Sequence, residues 1–328
     1  MQTLSFQTMT TEAHISISAE PDGELILARA RAAVEEVVRL MGPHSPDSDI
    51  KRLNDSRPGQ WIQVDPHTWK VLGEARLWHE LSQGAFDPTI GRVKKLFAFD
   101  QRILEKWPDD REIVEAAAGV GFDKIKMRPG QLSLTVPGQR LDLGAIAKGY
   151  ALDRAAEVLT DNGVRNAMVE IGGEVKVLGL HPGPPPRPWR VGIEDPRSGG
   201  KSKFTLEMSD SAVASSGGLH RHFIYNGRSY SHIIDPRTCQ PLAGHGLLGI
   251  TVAHPLSCMT ADALGTALAV LGPVEGLECL ERYSRNCGAG AYGVQVIFFS
   301  LNRENECEGL LLLIEESGRV SRKELKLN

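Results

Sequence analysis

From residue 205 onward the chain is written in short β runs, and this constrains its fold more than any other feature. The runs fall at 212–214, 222–225, 229–234 and 249–253; a helix at about 260–271 follows, then strands at 294–300 and 310–314. Strands are numerous and helices few in this half. The first half carries helical spacing. After an alternating strand at 13–17, residues 24–40 place Leu27, Ala30, Val34, Val37 and Val38 on one helical face, and Gly42 closes the run. Asp65 as N-cap with Pro66 at the first helical position announces a second helix, through Val71, Leu72, Ala75 and Trp78, that stops at Gly84. Further on, Leu141-Asp142-Leu143 reads as a strand end, 147–159 as a helix with Gly163 as its left-handed stop, and 166–171 as a strand ending at Gly172-Gly173. This reads as a strand, helix, strand unit. Residues 181–189 contain five prolines and read as an extended polyproline-like surface connector. The expected organisation is a single domain over 1–328 with a lobe boundary near 181–190.

Composition narrows the function classes. With 328 residues, 41% hydrophobic and 24% charged, the chain can bury a sizeable core. A net charge of -4 gives no electrostatic reason to expect nucleic acid or an anionic membrane. The five cysteines are odd in number and form no C-x-x-C pair, so they read as reduced thiols. The first residues lack a basic stretch followed by an apolar one, and no later segment is read as long enough to span a bilayer. The expectation is a cytoplasmic protein without stable membrane insertion, acting on a small molecule or a protein.

Three constellations could carry chemistry. In LDLGAIAKGY (141–150) a small-residue loop opens a helix carrying Lys148; free N–H groups, the helix dipole and a mobile ammonium suit a diphosphate. The alternative is that Gly144 and Ala145 merely allow close packing. In TADALGT (260–266) Asp262 and Thr266 stand four apart on one helical face and offer the hard oxygens that Mg²⁺ takes, although Asp262 could equally complement the dipole from the first turn. In the run 229–238, His232 precedes an Asp-Pro turn; histidine titrates near neutrality and can deprotonate a hydroxyl, or can simply be a bonded strand residue. Gly288 to Gly293 matches G-x-G-x-x-G but leads into a β run, where a dinucleotide fingerprint must open a helix.

Taken in order, SDIKRLN (48–54), GAFDPTIG (84–91), LDLGAIAKGYALD (141–153), EIGGE (170–174), SHIIDPRT (231–238) and TADALGTALAVLG (260–272) resemble the ApbE family of FAD:protein FMN transferases over about residues 6–297. The resemblance implies an α+β (mixed α/β) two-lobed fold with FAD in a cleft between lobes and a Mg²⁺ bridging protein and diphosphate. It implies Asp262, Thr266 and the backbone carbonyl of Ala145 as metal ligands, and Lys148 near the diphosphate. Met9, Asp87, Glu174 and a Ser215-Ser216-Gly217 turn would shape the flavin pocket, and His232 would assist the incoming hydroxyl as a catalytic residue alongside Asp262. The implied acceptor is a Thr or Ser in a short motif of a flavoprotein subunit. Three positions depart from the family pattern: Cys239 where glycine is usual, Phe97-Ala98 where tryptophan-glycine is usual, and Gly218 where an acid is common. A side chain at Cys239 would strain any left-handed turn. Two rivals use the same site: a Mg²⁺-dependent FAD pyrophosphatase giving FMN and AMP, and a flavin-binding protein without catalysis.

Overall fold

The computed structural model describes every residue except 98, 100–102, 195–201, 218–221, 244–246, 302–306 and 327–328. In chain order its elements are β1 (Gln2–Thr8), β2 (Thr11–Ile17), α1 (Gly23–Met41), α2 (Asp49–Asn54), β3 (Ile62–Gln63), α3 (Pro66–Leu81), α4 (Gly91–Leu96), α5 (Asp110–Ala117), β4 (Ile125–Arg128), β5 (Gln131–Leu134), α6 (Ala147–Asp161), β6 (Ala167–Ile171), β7 (Glu174–Leu178), β8 (Trp189–Glu194), β9 (Ser202–Met208), β10 (Ser211–Gly217), β11 (His222–Tyr225), β12 (Arg228–Asp235), β13 (Gln240–Ala243), β14 (Leu247–His254), α7 (Cys258–Cys287), β15 (Gln295–Leu301), β16 (Cys307–Ile314) and β17 (Val320–Lys326). Nine strands make one sheet in the order β1-β2-β6-β7-β10-β14-β15-β16-β17. Every neighbouring pair is antiparallel.

Because side chains alternate along a strand, this sheet buries two different faces. Ile15, Val169, Ala212, Ala214, Ile250, Val252, Val296 and Phe298 point inward and join the main core with α1, α6 and α7. Val175, Val177, Val213, Ile297 and Phe299 point outward and meet Trp189, Ile193 and Met208 of the β8–β9 hairpin. A third core belongs to α4, α5 and the three-stranded sheet β11-β12-β13, where Phe97 lies edge-on to Trp107 (5.2 Å) and stacks on Phe223 (6.2 Å). Segments far apart in sequence therefore build the smaller lobe. The proline-rich residues 181–189 join β7 to a hairpin packed on the same sheet and lie within the larger body.

Several sequence expectations are corrected. Residues 141–143 are not a strand: the N–H and C=O of Leu141 are paired by the Asn54 side chain (2.6 and 3.0 Å), so a side chain does the work of a neighbouring strand. No strand, helix, strand unit exists there. Gly42 does close α1 as expected, in an extended conformation; its missing Cβ matters because one would stand 2.5 Å from the Val38 carbonyl oxygen. The helix α3 ends at Leu81, before Gly84. The last helix continues beyond 271, interrupted at Gly272 (φ 67°) just before Pro273. Cys258–Ala291 is consequently long and apolar enough, by length and composition, to cross a membrane, which corrects the expectation that no segment is; here it is a core helix packed on α6 and the main sheet.

Candidate active site

Five of the six sequence words that resemble a family, those at 48–54, 84–91, 141–153, 170–174 and 260–272, are joined to one another by hydrogen bonds and an ion pair. Ser48 caps α2 by accepting from Lys51 N (3.3 Å) and donates to the Leu40 carbonyl, which fixes α2 on the end of α1. From the end of α2, Asn54 holds Leu141, and Asp142 N donates to Pro88 O (2.7 Å). Asp142 also accepts from Gly144 N and from Lys94 Nζ (both 2.9 Å), shaping the turn that opens α6. Asp87 is buried and its carboxylate is committed to the chain's own donors: Thr89 N (2.8 Å), Thr89 Oγ1 (2.6 Å) and Phe122 N (3.1 Å), with His79 Nδ1 at 3.2 Å. It thereby braces the loop leading to Asp142.

Where α6 and α7 begin, their backbones touch. A Cβ on Gly149 would stand 2.3 Å from the Cys258 carbonyl oxygen, so only glycine permits this approach. Gly149 N donates to Asp262 Oδ2 (3.1 Å), and Lys148 Nζ lies 2.9 Å from Glu174 Oε1 at the start of β7. Glu174 and Asp262 are both buried, and Glu174 Oε2 is buried with no hydrogen-bond partner. Burial first, then the neighbouring Asp262 charge, push the Glu174 carboxyl well up, against the pull of Lys148. Burial raises Asp262 as well, opposed by Lys148 and by the Gly149 N–H. For Lys148 burial acts downward, but Glu174 and Asp262 outweigh it and hold the ammonium above its ordinary value. Two buried carboxyls thus share one half-buried lysine.

The remaining expected residues are placed as follows. Thr266 is half-buried on α7, one turn beyond Asp262 and on its face. Ala145 is half-buried in the turn before α6. Ser215, Ser216 and Gly217 form no turn; they are the end of β10, paired to Thr251, Ile250 and Gly249. Alternation sends Ser216 toward α7, where a Cβ on Gly265 would be 3.0 Å from its Oγ, and sends Ser215 to the other face, bonded to Thr251 Oγ1 (2.9 Å). Met9 and Thr10, both at positive φ (48° and 64°), turn β1 into β2 beside the Gly172-Gly173 turn. His232 is half-buried at a register shift in β12, between Tyr230 and Ile234, and β12 packs on α7. Cys239 adopts φ 56° in the β12–β13 turn, as its departure from glycine implied. Phe97 is a core residue of the smaller lobe, while Ala98 and Gly218 lie outside the described residues.

Sequence reasoning missed the residues that hold this arrangement. Asp153, Lys176, Glu74 and Gly149 all bear on the starts of α6 and α7. The sequence hides them: Glu174-Val175-Lys176-Val177 reads as an ordinary strand with one solvated charged face, and only the packing of α6 on β7 buries those charges. All five cysteines are free, and among the described residues no group of three or more His, Cys, Asp or Glu is arranged to hold a metal.

Comparison with known proteins converges on one family. The ApbE family pattern matches residues 9–289. A relative from Vibrio cholerae named FAD:protein FMN transferase is 34% identical over 283 residues, covering 85% of this chain and 84% of its own length. Another of that name from Haemophilus influenzae is 34% identical over 291 residues, covering 85% and 83%. Among solved structures, flavin transferase ApbE from Vibrio cholerae superposes with a TM-score of 0.80 at 30% identity over 98% of this chain and 96% of that one. The apo flavinyl transferase ApbE of Pseudomonas stutzeri gives 0.80 at 27% identity over 99% and 95%. With its α+β architecture and the order of its sequence words, this chain belongs to the ApbE family.

Proposed function

We propose that this chain is a transferase that moves the FMN half of FAD onto a Thr or Ser hydroxyl of a target flavoprotein and releases AMP, with Mg²⁺ at the site. The observation that carries this reading is the cluster of half-buried Lys148 with the buried Glu174 and Asp262 where α6 and α7 begin. The family relatives named for flavin transfer support it.

The residues present fit a hard cation. Among the described residues no N–H or O–H reaches Glu174 Oε2, two buried carboxyls that hydrogen-bond to each other lie beside a single ammonium, and Thr266 and the Ala145 carbonyl would add oxygens, with the buried Cys258 thiol also near the cluster. Asp262, Thr266 and the Ala145 carbonyl would hold Mg²⁺, which when bound neutralises charge on diphosphate oxygens. The chain's own groups do the rest. The Lys148 ammonium, oriented by Glu174, attracts the diphosphate and stabilises negative charge as AMP departs. His232 accepts the proton that the acceptor hydroxyl loses as its oxygen bonds to the FMN phosphorus and the bond from phosphorus to the bridging oxygen breaks. Burial of Glu174 and Asp262 strengthens their electrostatic hold on Lys148.

Asp262→Ala tests the reading. It should abolish Mg²⁺-dependent FAD cleavage while circular dichroism shows a folded protein; undiminished cleavage would remove Asp262 from the site. His232→Ala should slow transfer by about 10²–10⁴-fold, the range for loss of a general base, with FAD affinity little changed. Normal transfer with collapsed FAD affinity would reassign His232 to binding.

A further inference from the structure

Two ion pairs of opposite sense connect α6 to β7. At the site the cation is on the helix and the anion on the strand: Lys148 to Glu174, 2.9 Å. Further along both elements the anion is on the helix and the cation on the strand: Asp153 Oδ1 to Lys176 Nζ, 3.7 Å, with Lys176 only 8% exposed. Glu174 and Lys176 share a face of β7 because they are two residues apart. A slip of α6 one way along β7 would bring Lys148 toward Lys176, and a slip the other way would bring Asp153 toward Glu174; either sets like charge against like.

The second pair also grips α7. Asp153 Oδ2 accepts from Ser257 Oγ (2.9 Å) and Met259 N (3.0 Å), and Oδ1 accepts from Cys258 N (2.8 Å). Lys176 donates to the Leu256 carbonyl just before the helix. We propose that Asp153 and Lys176 are positioning residues: a charge-inverted clamp that seats the first turn of α7 on α6 and β7, so that Asp262, one turn later, meets Gly149 N and Lys148. The backbone contact of Gly149 with Cys258 makes the coupling stiff, since no side chain lies between the helices to absorb a displacement. Their role is to place Asp262 and Lys148, not to contact the substrate. The metal arm of the test rests on the proposed function; the geometric arm does not.

Asp153→Asn keeps the shape but turns an N–H₂ toward backbone donors, and Lys176→Met keeps the length without the charge. Val213→Ala, on the opposite face of the sheet, serves as a comparator that lowers stability without touching the clamp. For each protein, amide hydrogen exchange at Gly149, calorimetric Mg²⁺ binding in the presence of FAD, and thermal unfolding are measured. Both clamp variants should speed Gly149 exchange relative to the comparator and weaken Mg²⁺ binding by about tenfold, as loss of a residue that orients a metal ligand does. Comparator-like Gly149 exchange in a folded clamp variant would overturn the proposal, whatever the Mg²⁺ affinity. If Asp153→Asn does not fold, Lys176→Met decides alone. If the wild-type protein binds no Mg²⁺, the functional reading loses its metal while the exchange measurement still decides the clamp.

Discussion

At Cys239 two effects oppose each other. Its φ of 56° costs a residue with a Cβ about 1–2 kcal/mol relative to glycine. The same side chain is buried beside the aromatic cluster of the smaller lobe, which returns about 1 kcal/mol for a group of its size. Cys239→Gly should therefore change the unfolding free energy by less than about 1 kcal/mol, whereas β-branched Cys239→Val should cost about 2 kcal/mol or more, measured by urea denaturation. At Gly149 nothing offsets the clash. The added Cβ of Gly149→Ala meets a backbone oxygen that cannot rotate away, so α6 and α7 must separate. A loss of about 1–3 kcal/mol is expected, together with loss of FAD cleavage because Asp262 moves with its helix. Wild-type activity in that variant would show that the contact is not what places Asp262.

Among the elements, the β14–α7 connection carries its own acid sensitivity. His254 Nδ1 accepts from the N–H groups of Leu256 and Ser257 (both 3.0 Å), and Nε2 faces the Tyr283 hydroxyl at 2.8 Å. Burial first, then the Lys176 charge, push the imidazole down to about 3 from 6.5. The unfolded chain takes up a proton near pH 6.5 that the native state refuses, so this stabilisation is complete above that pH and is lost as pH falls toward 3. The melting temperature should decline below pH 6.5, and His254→Gln should flatten that decline while lowering stability at pH 7. How much of the fold was legible follows from the same local physics. Elements with a cap or a clear period were readable: α3 from Asp65-Pro66, α6 from its Gly163 stop, and β11 at its observed bounds. The turn of α7 past Gly272 was not, because Gly-Pro ends most helices and here only interrupts one. Nor was β17, whose Arg322, Lys323 and Glu324 suit an exposed sheet edge and hide the strand from an apolar pattern.

For the whole molecule, two lobes meet through α7, which packs on the main sheet and on β12. The smaller lobe depends on an aromatic core assembled from distant segments, with Phe223 stacked on Tyr230 (5.4 Å) and Phe97. Phe223→Ala should cost about 3–5 kcal/mol and, because β12 carries His232, should reduce transfer more than FAD affinity; thermal unfolding with parallel FAD titration checks both. Lys148 and Asp262 were singled out by residue type and spacing and Glu174 through family resemblance, and the structure brings the three together. The clamp of Asp153 and Lys176 was not nameable, since it depends on which elements pack side by side, and Ser215 parted from Ser216 only once the strand gave each a face. The central claim concerns chemistry, and intact-mass measurement tests it most directly. The purified chain is incubated with FAD, Mg²⁺ and an acceptor domain bearing a Thr or Ser flavinylation motif. The account predicts an acceptor mass gain of one FMN with release of AMP, abolished by Asp262→Ala; free FMN and AMP without an adduct, or FAD left uncleaved, would contradict it.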